Sequence, residues 1–247
     1  MFIEERFNII LAEVEKRKAV SVTQLCQATG ASEATIRRDL TALAAQGRLS
    51  KVHGGAVALD GEFENEEKDV SVKEQLYIAE KVRIAQYAAA QIHDEDFVFI
   101  DAGTTTIRMV DYLSGSRATF ITNGIECARR LVEKGLKSYV VGGLLKPGTQ
   151  AIVGAAAMES LSRYNLTKAF LGTNGVSVRQ GFTTPDAEEA AIKTKAVQQA
   201  YMSYMLADSS KFGKVTAVTI CPLDQACLIT DHIPDSVYRQ HTVIKEV

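Results

Sequence analysis

The sequence predicts an α/β protein that has a small helical head ending in a β-hairpin and a larger, mainly parallel α/β body. Three short helical patterns followed by an alternating stretch predict the head. From residue 73 onward, helical stretches alternate with short β-rich runs, which predicts parallel strands joined by crossover helices. We expect domains at 1–59 and 73–247 and an acidic linker at 60–72, because DGEFENEEKD at 60–69 has little to bury.

The first two helices of the head follow from apolar spacing and end signals. Four apolar residues form one stripe on the first helix, which ends near KRK at 16–18: Phe7, Ile10, Leu11 and Val14. A second helix is predicted over Thr23–Thr29, with Gly30 as its terminating residue. Ser32 is placed to cap a third helix by accepting a backbone hydrogen bond.

The third helix has an apolar face and an outward face of a different character. Ile36, Leu40 and Leu43 fall on one side at helical spacing. The remaining positions are small, hydroxylated or basic: Ala34, Thr35, Arg37, Arg38 and Thr41. Such a face suits the DNA major groove, although an ordinary solvated face explains two adjacent arginines equally well.

The stretch that follows the third helix predicts a hairpin wing. RLSKVHGGAV, residues 48–57, alternates Leu49 and Val52 with Arg48 and Lys51, and then turns at a glycine pair. The head therefore has the pattern of a winged helix-turn-helix domain.

Several predicted strands of the body end in small or polar residues. The runs are FVFID, TFITN, SYVVGG, AFLGT, YMLAD, AVTIC and CLITD. The carboxyl ends of parallel strands meet at one rim, where ligands bind. Gly103 would let backbone N–H groups approach an anion, Thr104–Thr106 add hydroxyls at a helix start, and Lys211 supplies a cation. A Gly-Thr turn can also serve only to cap a helix.

The segment GFTTPDAEEAAIKTK, residues 181–195, has two interpretations. Thr183, Thr184, Asp186 and Lys193 could contact sugar hydroxyls or hold a lid. Pro185 with the acidic residues after it is equally consistent with ordinary helix capping.

Composition and charge exclude several classes of protein. Four scattered cysteines without a close-spaced pair or a histidine cluster indicate neither a zinc site nor a disulfide framework, and we expect no metal and no cofactor. No apolar run reaches the roughly 18 residues of a membrane span, and acidic residues occupy the start, so we expect a cytoplasmic protein without a membrane partner. Residues 1–59 carry a net charge of +2 and the whole chain −2, so the body is acidic. An acidic body disfavours a DNA-packaging protein.

Two long stretches of the head resemble a known family. EERFNIIL and SEATIRRDLTALAAQGRLSKVHGGA are similar to the DNA-binding signature of DeoR-type bacterial regulators. The resemblance implies that operator DNA is contacted by residues of the third helix and the wing, which are Ser32, Thr35, Arg37, Arg38, Lys51 and His53.

The resemblance extends over the body through DAGTTT, TNG, GG, FLGTNGV, GFTT, KTKAV, LADSSKFG and ITD. It implies an effector domain with the fold of ribose-5-phosphate isomerase, but GTNGVS at 172–177 replaces the acidic catalytic loop of those enzymes. Without a positioned base we expect no catalytic residue and a sensor of a sugar phosphate. FTTPDAEEA resembles the fructose-operon branch, which implies fructose 1-phosphate as effector, with tagatose 6-phosphate next.

These observations predict a transcriptional repressor that acts as a homo-oligomer, dimer or tetramer, and is released from its operator by a phosphorylated sugar. The alternative is a sugar-phosphate isomerase or deaminase fused to a DNA-binding module. The predicted effector-binding residues are Asp101, Gly103, Thr104, Thr105, Thr106, Thr122, Asn123, Gly142, Gly143, Gly172, Asn174, Thr183, Thr184, Lys193, Asp208 and Lys211.

Overall fold

The computed structural model describes residues 2–46, 48–58, 62–63 and 69–247 of the chain. The chain divides into two compact units, Met1–Glu62 and Phe63–Val247. Most of the linker predicted at 60–72 lies outside the described residues, namely 60–61 and 64–68. Its last three residues, 70–72, belong to a short helix.

The first unit contains three helices and a small antiparallel sheet. The elements in chain order are α1 (Ile3–Arg17), β1 (Ala19–Ser21), α2 (Val22–Thr29), α3 (Glu33–Ala45), β2 (Ser50–Val52) and β3 (Gly55–Val57), followed by β4 (Glu62–Phe63). Strands β2 and β3 form the predicted wing hairpin, and β1 adds to the other side of β3. The sequence did not predict β1, which is too short to show a period.

The helix ends of the first unit match their sequence signals. Gly30 ends α2 in the left-handed conformation at φ 69°, which a glycine adopts without strain. The Ser32 hydroxyl accepts a hydrogen bond from the Thr35 N–H at 3.3 Å and so caps α3. Ile36, Leu40 and Leu43 are fully buried in a core that α1 and α2 complete.

The second unit is built around a seven-stranded sheet. Its elements in chain order are α4 (Val70–Glu74), α5 (Ile78–Ala89), β5 (Phe97–Ile100), a 3-10 helix (Thr106–Tyr112), β6 (Thr119–Thr122), α6 (Ile125–Glu133), β7 (Ser138–Val140), β8 (Leu144–Leu145), β9 (Ile152–Val153), α7 (Ala155–Ser162), β10 (Leu166–Gly172), β11 (Gly175–Ser177), β12 (Gly181–Thr184), α8 (Ala187–Gln199), β13 (Ala200–Leu206), a 3-10 turn (Ser209–Lys211), β14 (Lys214–Val215), β15 (Val218–Cys221), a 3-10 turn (Leu223–Gln225), β16 (Cys227–Thr230), a 3-10 turn (Ser236–Gln240) and β17 (Ile244–Glu246).

The large sheet is parallel throughout, in the order β17-β16-β13-β10-β5-β6-β7. This confirms the prediction of a mainly parallel α/β domain. One predicted strand belongs elsewhere: AVTIC supplies β15, which pairs antiparallel with β12 in a separate sheet with β11. A short apolar run shows that a strand is buried but does not reveal its partner.

Both faces of the large sheet are covered. On β5, Phe99 packs into one apolar cluster, whereas its neighbours Val98 and Ile100 pack into the other. Because successive side chains of a strand point to opposite faces, this alternation places a core on each side. Helices α7 and α8 complete one core, and α5 and α6 complete the other. No helix in the described part of the chain is long and apolar enough to cross a membrane.

Candidate functional site

The third helix of the head is held against the first by an ion pair. Arg6 on α1 donates to the carboxylate of Asp39 on α3, with Nε at 2.5 Å and Nη2 at 3.1 Å. The Asp39 side chain is only 5% exposed, and its hydrogen bond raises the pKa of Arg6. The two-point contact fixes the orientation of α3 and hence the direction in which its outward face points. No sequence pattern indicated this pair.

The outward face of α3 presents the arginines predicted to contact DNA. Arg37 and Arg38 are exposed, and Arg37 makes a 3.3 Å ion pair with Glu33 one turn earlier. The Ser32 hydroxyl, which caps the helix, also lies 2.9 Å from the hydroxyl of Thr35. These side chains are available at the start of the helix, where a recognition helix meets base edges.

The wing residues lie beside the same helix. Lys51 on β2 donates a 2.7 Å hydrogen bond from Nζ to the hydroxyl of Thr41 on α3. His53 is exposed in the turn, which Gly54 completes at φ 84°. The fold therefore brings the predicted wing lysine next to α3, and DNA contact by these residues stays a prediction.

In the second unit, β5 ends in a tight loop that Thr106 holds together. The Thr106 hydroxyl lies 2.7 Å from the Asp101 carbonyl oxygen and 2.9 Å from that of Gly103. It also accepts the Gly103 N–H at 3.0 Å. A Cβ on Gly103 would lie 2.9 Å from this hydroxyl, so a larger residue would displace the loop. Thr106 is fully buried and has a structural role here.

The donors that this loop leaves for a ligand belong to its two middle threonines. The N–H of Gly103 itself donates within the loop, to the Asp101 carbonyl at 2.9 Å. Within the described part of the chain, the N–H groups and hydroxyls of Thr104 and Thr105 make no hydrogen bond. Successive unused N–H groups in a turn form a small anion-binding concavity.

A cavity of about 260 Å³ lies beside this loop, at the carboxyl ends of β5, β10 and β13. This is the rim at which ligands bind to parallel sheets. Half of the predicted effector residues line it: Gly103, Thr104, Thr105, Gly172, Asn174, Lys193, Asp208 and Lys211.

The cavity is rich in positive charge. Five lysines and two carboxylates line it. The pKa of Lys73 is lowered to about 8, mainly by burial and, to a smaller extent, by the nearby charges of Lys193 and Lys211, against the attraction of Glu189. Burial likewise lowers the pKa of Lys81 to about 8, against the attraction of Asp208. An anion in the cavity would offset both the burial of these ammonium groups and their mutual repulsion.

Lys193 links the cavity lining to the residues behind it. Lys193 is buried, forms an ion pair with Asp101, and donates to the Gly172 carbonyl at 3.2 Å. The same Asp101 carboxylate accepts the Gly172 N–H at 3.1 Å. The pair therefore joins the ends of β5 and β10 to α8, and Asp101 supports the cavity without lining it.

A second ionic group lies at the start of α8. Lys146 contacts Asp186 at 2.6 Å and Glu189 at 3.2 Å, and the Thr149 hydroxyl donates to Glu189 at 2.7 Å. Asp186 also caps α8 by accepting the Glu189 N–H at 2.9 Å, as the capping interpretation of this segment predicted. Among the described residues, no three His, Cys, Asp or Glu side chains are grouped to hold a metal ion.

The other half of the predicted effector residues do not line the cavity: Asp101, Thr106, Thr122, Asn123, Gly142, Gly143, Thr183 and Thr184. Several of them instead form hydrogen bonds within the protein. Thr122 and Asn123 accept backbone N–H groups at 3.0 and 2.9 Å. The Thr184 hydroxyl lies 3.1 Å from the amide oxygen of Asn174. A Cβ on Gly143 would lie 2.5 Å from the Val153 carbonyl, so this glycine permits close strand packing.

Sequence reasoning missed part of the lining, including Lys73, Lys81, Thr149, Glu189 and Thr216. For one of them, Lys81, the sequence pattern could have indicated a functional position. Lys81 falls on the apolar stripe of α5, in register with Ile84, Ala85 and Ala88, and a lysine on a buried stripe is unusual. Lys73 and Thr216 lie in segments too short to show a period.

Helix α4 lies between this cavity and a second one. Val70 and Lys73 line the first, and Val70, Ser71 and Glu74 line a more open cavity of about 610 Å³. Two cations hold its last carbonyl groups: Lys81 donates to the carbonyl of Lys73, and Arg108 donates to that of Glu74 at 3.2 Å. The helix that begins within the predicted linker is thus part of the cavity wall.

Two family descriptions match the chain. Residues 6–62 match the DeoR-like helix-turn-helix domain, and residues 77–232 match the DeoR C terminal sensor domain. Among solved structures, ribose 5-phosphate isomerase A from Methanocaldococcus jannaschii is similar over 53% of each chain, with a TM-score of 0.41 and 14% identity.

Curated relatives match over nearly the whole length. An uncharacterized HTH-type transcriptional regulator, FruR, from Bacillus subtilis is 38% identical over 100% of this chain and 99% of its own. The transcriptional repressor GlcR of the same organism is 32% identical over 96% and 92%. The lactose phosphotransferase system repressor of Staphylococcus epidermidis is 32% identical over 92% of each chain. This chain therefore belongs to the DeoR family of helix-turn-helix transcriptional regulators.

Proposed function

We propose that this regulator represses a sugar-utilisation operon and that a phosphorylated sugar, bound in the 260 Å³ cavity, releases it from its operator. Fructose 1-phosphate is the first candidate effector and tagatose 6-phosphate the second. The observation that carries the proposal is the meeting of two anion-binding features in one cavity. These are the unused N–H groups of Thr104 and Thr105 and the lysines Lys73, Lys81 and Lys211.

The remaining lining suits a small polyhydroxylated ligand. Thr149, Thr173, Asn174 and Thr216 offer amide and hydroxyl groups, and the cavity volume is at the small end for ligand pockets. The similarity to a lactose phosphotransferase system repressor and to the repressor GlcR supports repression as the mode of action. Because one small head contacts few base edges, the protein acts on DNA as a dimer or tetramer.

Helix α4 is the element that couples the two functions in this proposal. It contributes Lys73 to the cavity, and the chain leads from its first residue back toward the DNA-binding head. A phosphate that attracts the ammonium groups of Lys73 and Lys81 changes the contacts of α4 with the cavity wall. A sugar phosphate that prefers the state unable to bind DNA shifts the population by its difference in affinity for the two states.

A gel-shift titration tests the function. The DNA is the region upstream of the protein's own operon, and the ligands are fructose 1-phosphate, tagatose 6-phosphate, fructose 6-phosphate and unphosphorylated fructose. Release by one phosphorylated sugar, with no release by fructose, supports the proposal. Specific binding that no sugar changes would remove the effector assignment and leave only the DNA-binding function.

The Lys211→Ala variant separates the two activities. We expect it to bind the operator like the parent and to need at least tenfold more sugar phosphate for release, because a charge-assisted hydrogen bond contributes about 1.5–3 kcal/mol. Lys137→Ala, which removes a lysine that does not line the cavity, is the control. Loss of operator binding by a folded Lys211→Ala protein would contradict the assignment of this residue.

We also propose that the cavity performs no isomerisation. The loop Gly172–Ser177 carries no carboxylate. The two carboxylates of the lining already accept hydrogen bonds, Glu189 from Thr149 and Lys146, and Asp208 from the N–H and hydroxyl of Ser210. Asp101, outside the lining, is paired with Lys193. An isomerase would exchange solvent deuterium into a ketose phosphate, so the absence of exchange over hours is the expected result. Exchange that is lost on replacing Glu189 with Gln would instead identify an enzyme and its base.

A further inference from the structure

The hydroxyl of Thr216 is the starting observation. Thr216 lies between β14 and β15, lines the cavity and is 4% exposed. Among the described residues, its Oγ1 is one of two buried side-chain polar atoms that have no hydrogen-bond partner. A buried hydroxyl without a partner has lost its hydration and gained nothing in return, and folded proteins rarely keep such groups.

The backbone around Thr216 holds this hydroxyl in place. Its N–H donates to the hydroxyl of the fully buried Thr183 at 3.0 Å. The Thr183 carbonyl in turn accepts the Asn174 N–H and the Thr173 hydroxyl, each at 2.9 Å. A Cβ on Gly175 would lie 2.5 Å from the Thr183 hydroxyl, so only a glycine allows the backbone to pack this closely against Thr183.

Within the described residues, two other threonines that line the cavity, Thr173 and Thr149, have hydrogen-bonded hydroxyls, unlike Thr216. The Thr173 hydroxyl lies 2.9 Å from two carbonyl oxygens, and the Thr149 hydroxyl donates to Glu189 at 2.7 Å. Both groups are satisfied within the protein, whereas the hydroxyl of Thr216, a residue that also lines the cavity, has no partner in the described part of the chain.

We infer that Thr216 determines specificity, by hydrogen bonding a hydroxyl group of the bound sugar phosphate. This inference rests on the proposed function. The partner is a sugar hydroxyl and not the phosphate, because cations and backbone N–H groups already supply the donors that a phosphate needs. A threonine hydroxyl both donates and accepts, which matches a sugar hydroxyl. A site built to pair such a group discriminates against analogues that lack it.

The test is isothermal calorimetry on the full chain with Thr216→Val, which keeps the shape of the side chain and removes the hydroxyl. The sugar phosphate that releases the parent protein should bind about tenfold more weakly, the effect of one lost neutral hydrogen bond. Inorganic phosphate, titrated separately, should bind both proteins equally. Thr216→Ser should retain the affinity, and Thr219→Val, at an exposed position on β15, is the matched control.

Monodeoxy analogues of the same sugar phosphate identify the partner hydroxyl. One analogue should bind the parent about tenfold more weakly than the full sugar and bind Thr216→Val equally well, as a double-mutant cycle requires for a direct contact. Without ligand, Thr216→Val should melt about 2–4 °C higher, because the unpaired buried hydroxyl is gone.

Three results would overturn the inference. Unchanged affinity of Thr216→Val for the sugar phosphate excludes the contact, and an equal loss for inorganic phosphate assigns the hydroxyl to the phosphate. A lower melting temperature of unliganded Thr216→Val shows that the hydroxyl already has a partner inside the protein. Failure of the parent to bind any sugar phosphate would instead reject the proposed function itself, so the two failures are distinguishable.

Discussion

Lys81 is a charged residue in surroundings that disfavour its charged form. It is 4% exposed on a helix face that is otherwise apolar, and burial lowers its pKa to about 8. Lys73, beside it, has a pKa lowered to about 8 for the same reason. Both shifts report ammonium groups whose charged form is disfavoured by burial, and such shifts are typical of binding sites.

The first prediction follows from these two pKa values. A bound phosphate favours the charged lysines and raises their pKa, so sugar-phosphate affinity should be constant up to about pH 8 and fall above it. The fall should approach about tenfold per pH unit for each lysine that must be recharged. The ligand does not contribute, because a phosphate ester has its second pKa at about 6.

Calorimetry at pH 7 and pH 9, in buffers with different heats of ionisation, measures this effect. Proton uptake on binding should be detectable at pH 9 and small at pH 7. Lys81→Met should bind weakly at both pH values and with a flatter profile. An affinity that rises between pH 8 and pH 9 would show that these lysines do not serve the anion.

At the scale of elements, α3 and α4 carry the two halves of the proposed function. Helix α3 is capped by Ser32 and fixed to α1 through Arg6 and Asp39, so its exposed arginines have a defined direction. Helix α4 has only five residues and depends on Lys81 and Arg108 for its last carbonyl groups. Helix α3 is held by an ion pair to α1, whereas α4 is held by Lys81, which lines the 260 Å³ cavity, and by Arg108, which does not.

The second prediction concerns α3. Arg38→Ala should lower operator affinity by about 1–3 kcal/mol and reduce the salt dependence of binding by about one unit of slope if the contact is to a phosphate. Sugar-phosphate binding should not change. Arg17→Ala, which removes an exposed charge at the end of α1, is the matched control. Equal losses for both variants, in gel shifts at several salt concentrations, would indicate a general charge effect and no specific contact.

The third prediction concerns α4. Arg108→Ala removes the hydrogen bond to the Glu74 carbonyl but no side chain that lines the 260 Å³ cavity. We expect sugar-phosphate affinity within about threefold of the parent and a clearly weaker release from the operator, since coupling energies are typically about 1–3 kcal/mol. Arg117→Ala, at an exposed arginine of the same unit, is the control. Full release by a folded Arg108→Ala protein would exclude α4 as the coupling element.

At the scale of the whole molecule, the chain is divided into a head and a larger unit with separate apolar cores. The head buries residues of α1, α2 and α3 around Ile36 and Leu40, and the larger unit buries two clusters on the faces of its parallel sheet. Units with their own cores are expected to respond separately to their ligands.

The fourth prediction is that calorimetry shows two unfolding transitions with different ligand responses. A sugar phosphate at a hundred times its Kd should stabilise the larger unit by about 2.7 kcal/mol and raise its Tm by roughly 5–10 °C. Operator DNA should raise only the other transition. At the same concentration, Lys211→Ala should lose about half of the first shift or more, as a tenfold or greater loss of affinity requires, and none of the second. A single transition that both ligands move together would show that the units unfold as one.

The sequence by itself determined the local structure of this protein. The stripe on α1, the capping by Ser32 and the glycine that ends α2 depend on neighbours within a few residues, so their patterns are readable. The loop at 101–106 was also predicted from its small residues and its place after an apolar strand. The family followed from the order of such motifs along the chain.

Only the tertiary structure decided which side chains meet. The pairs Arg6–Asp39 and Lys193–Asp101 join residues 33 and 92 positions apart, and no periodicity links them. The order of seven strands, the placement of β15 in another sheet and the entry of α4 into the cavity wall depend on long-range packing. Half of the predicted effector residues lie outside the cavity lining. A strand end shows where a rim lies, whereas packing decides which of its polar groups bond to the backbone and which face the cavity.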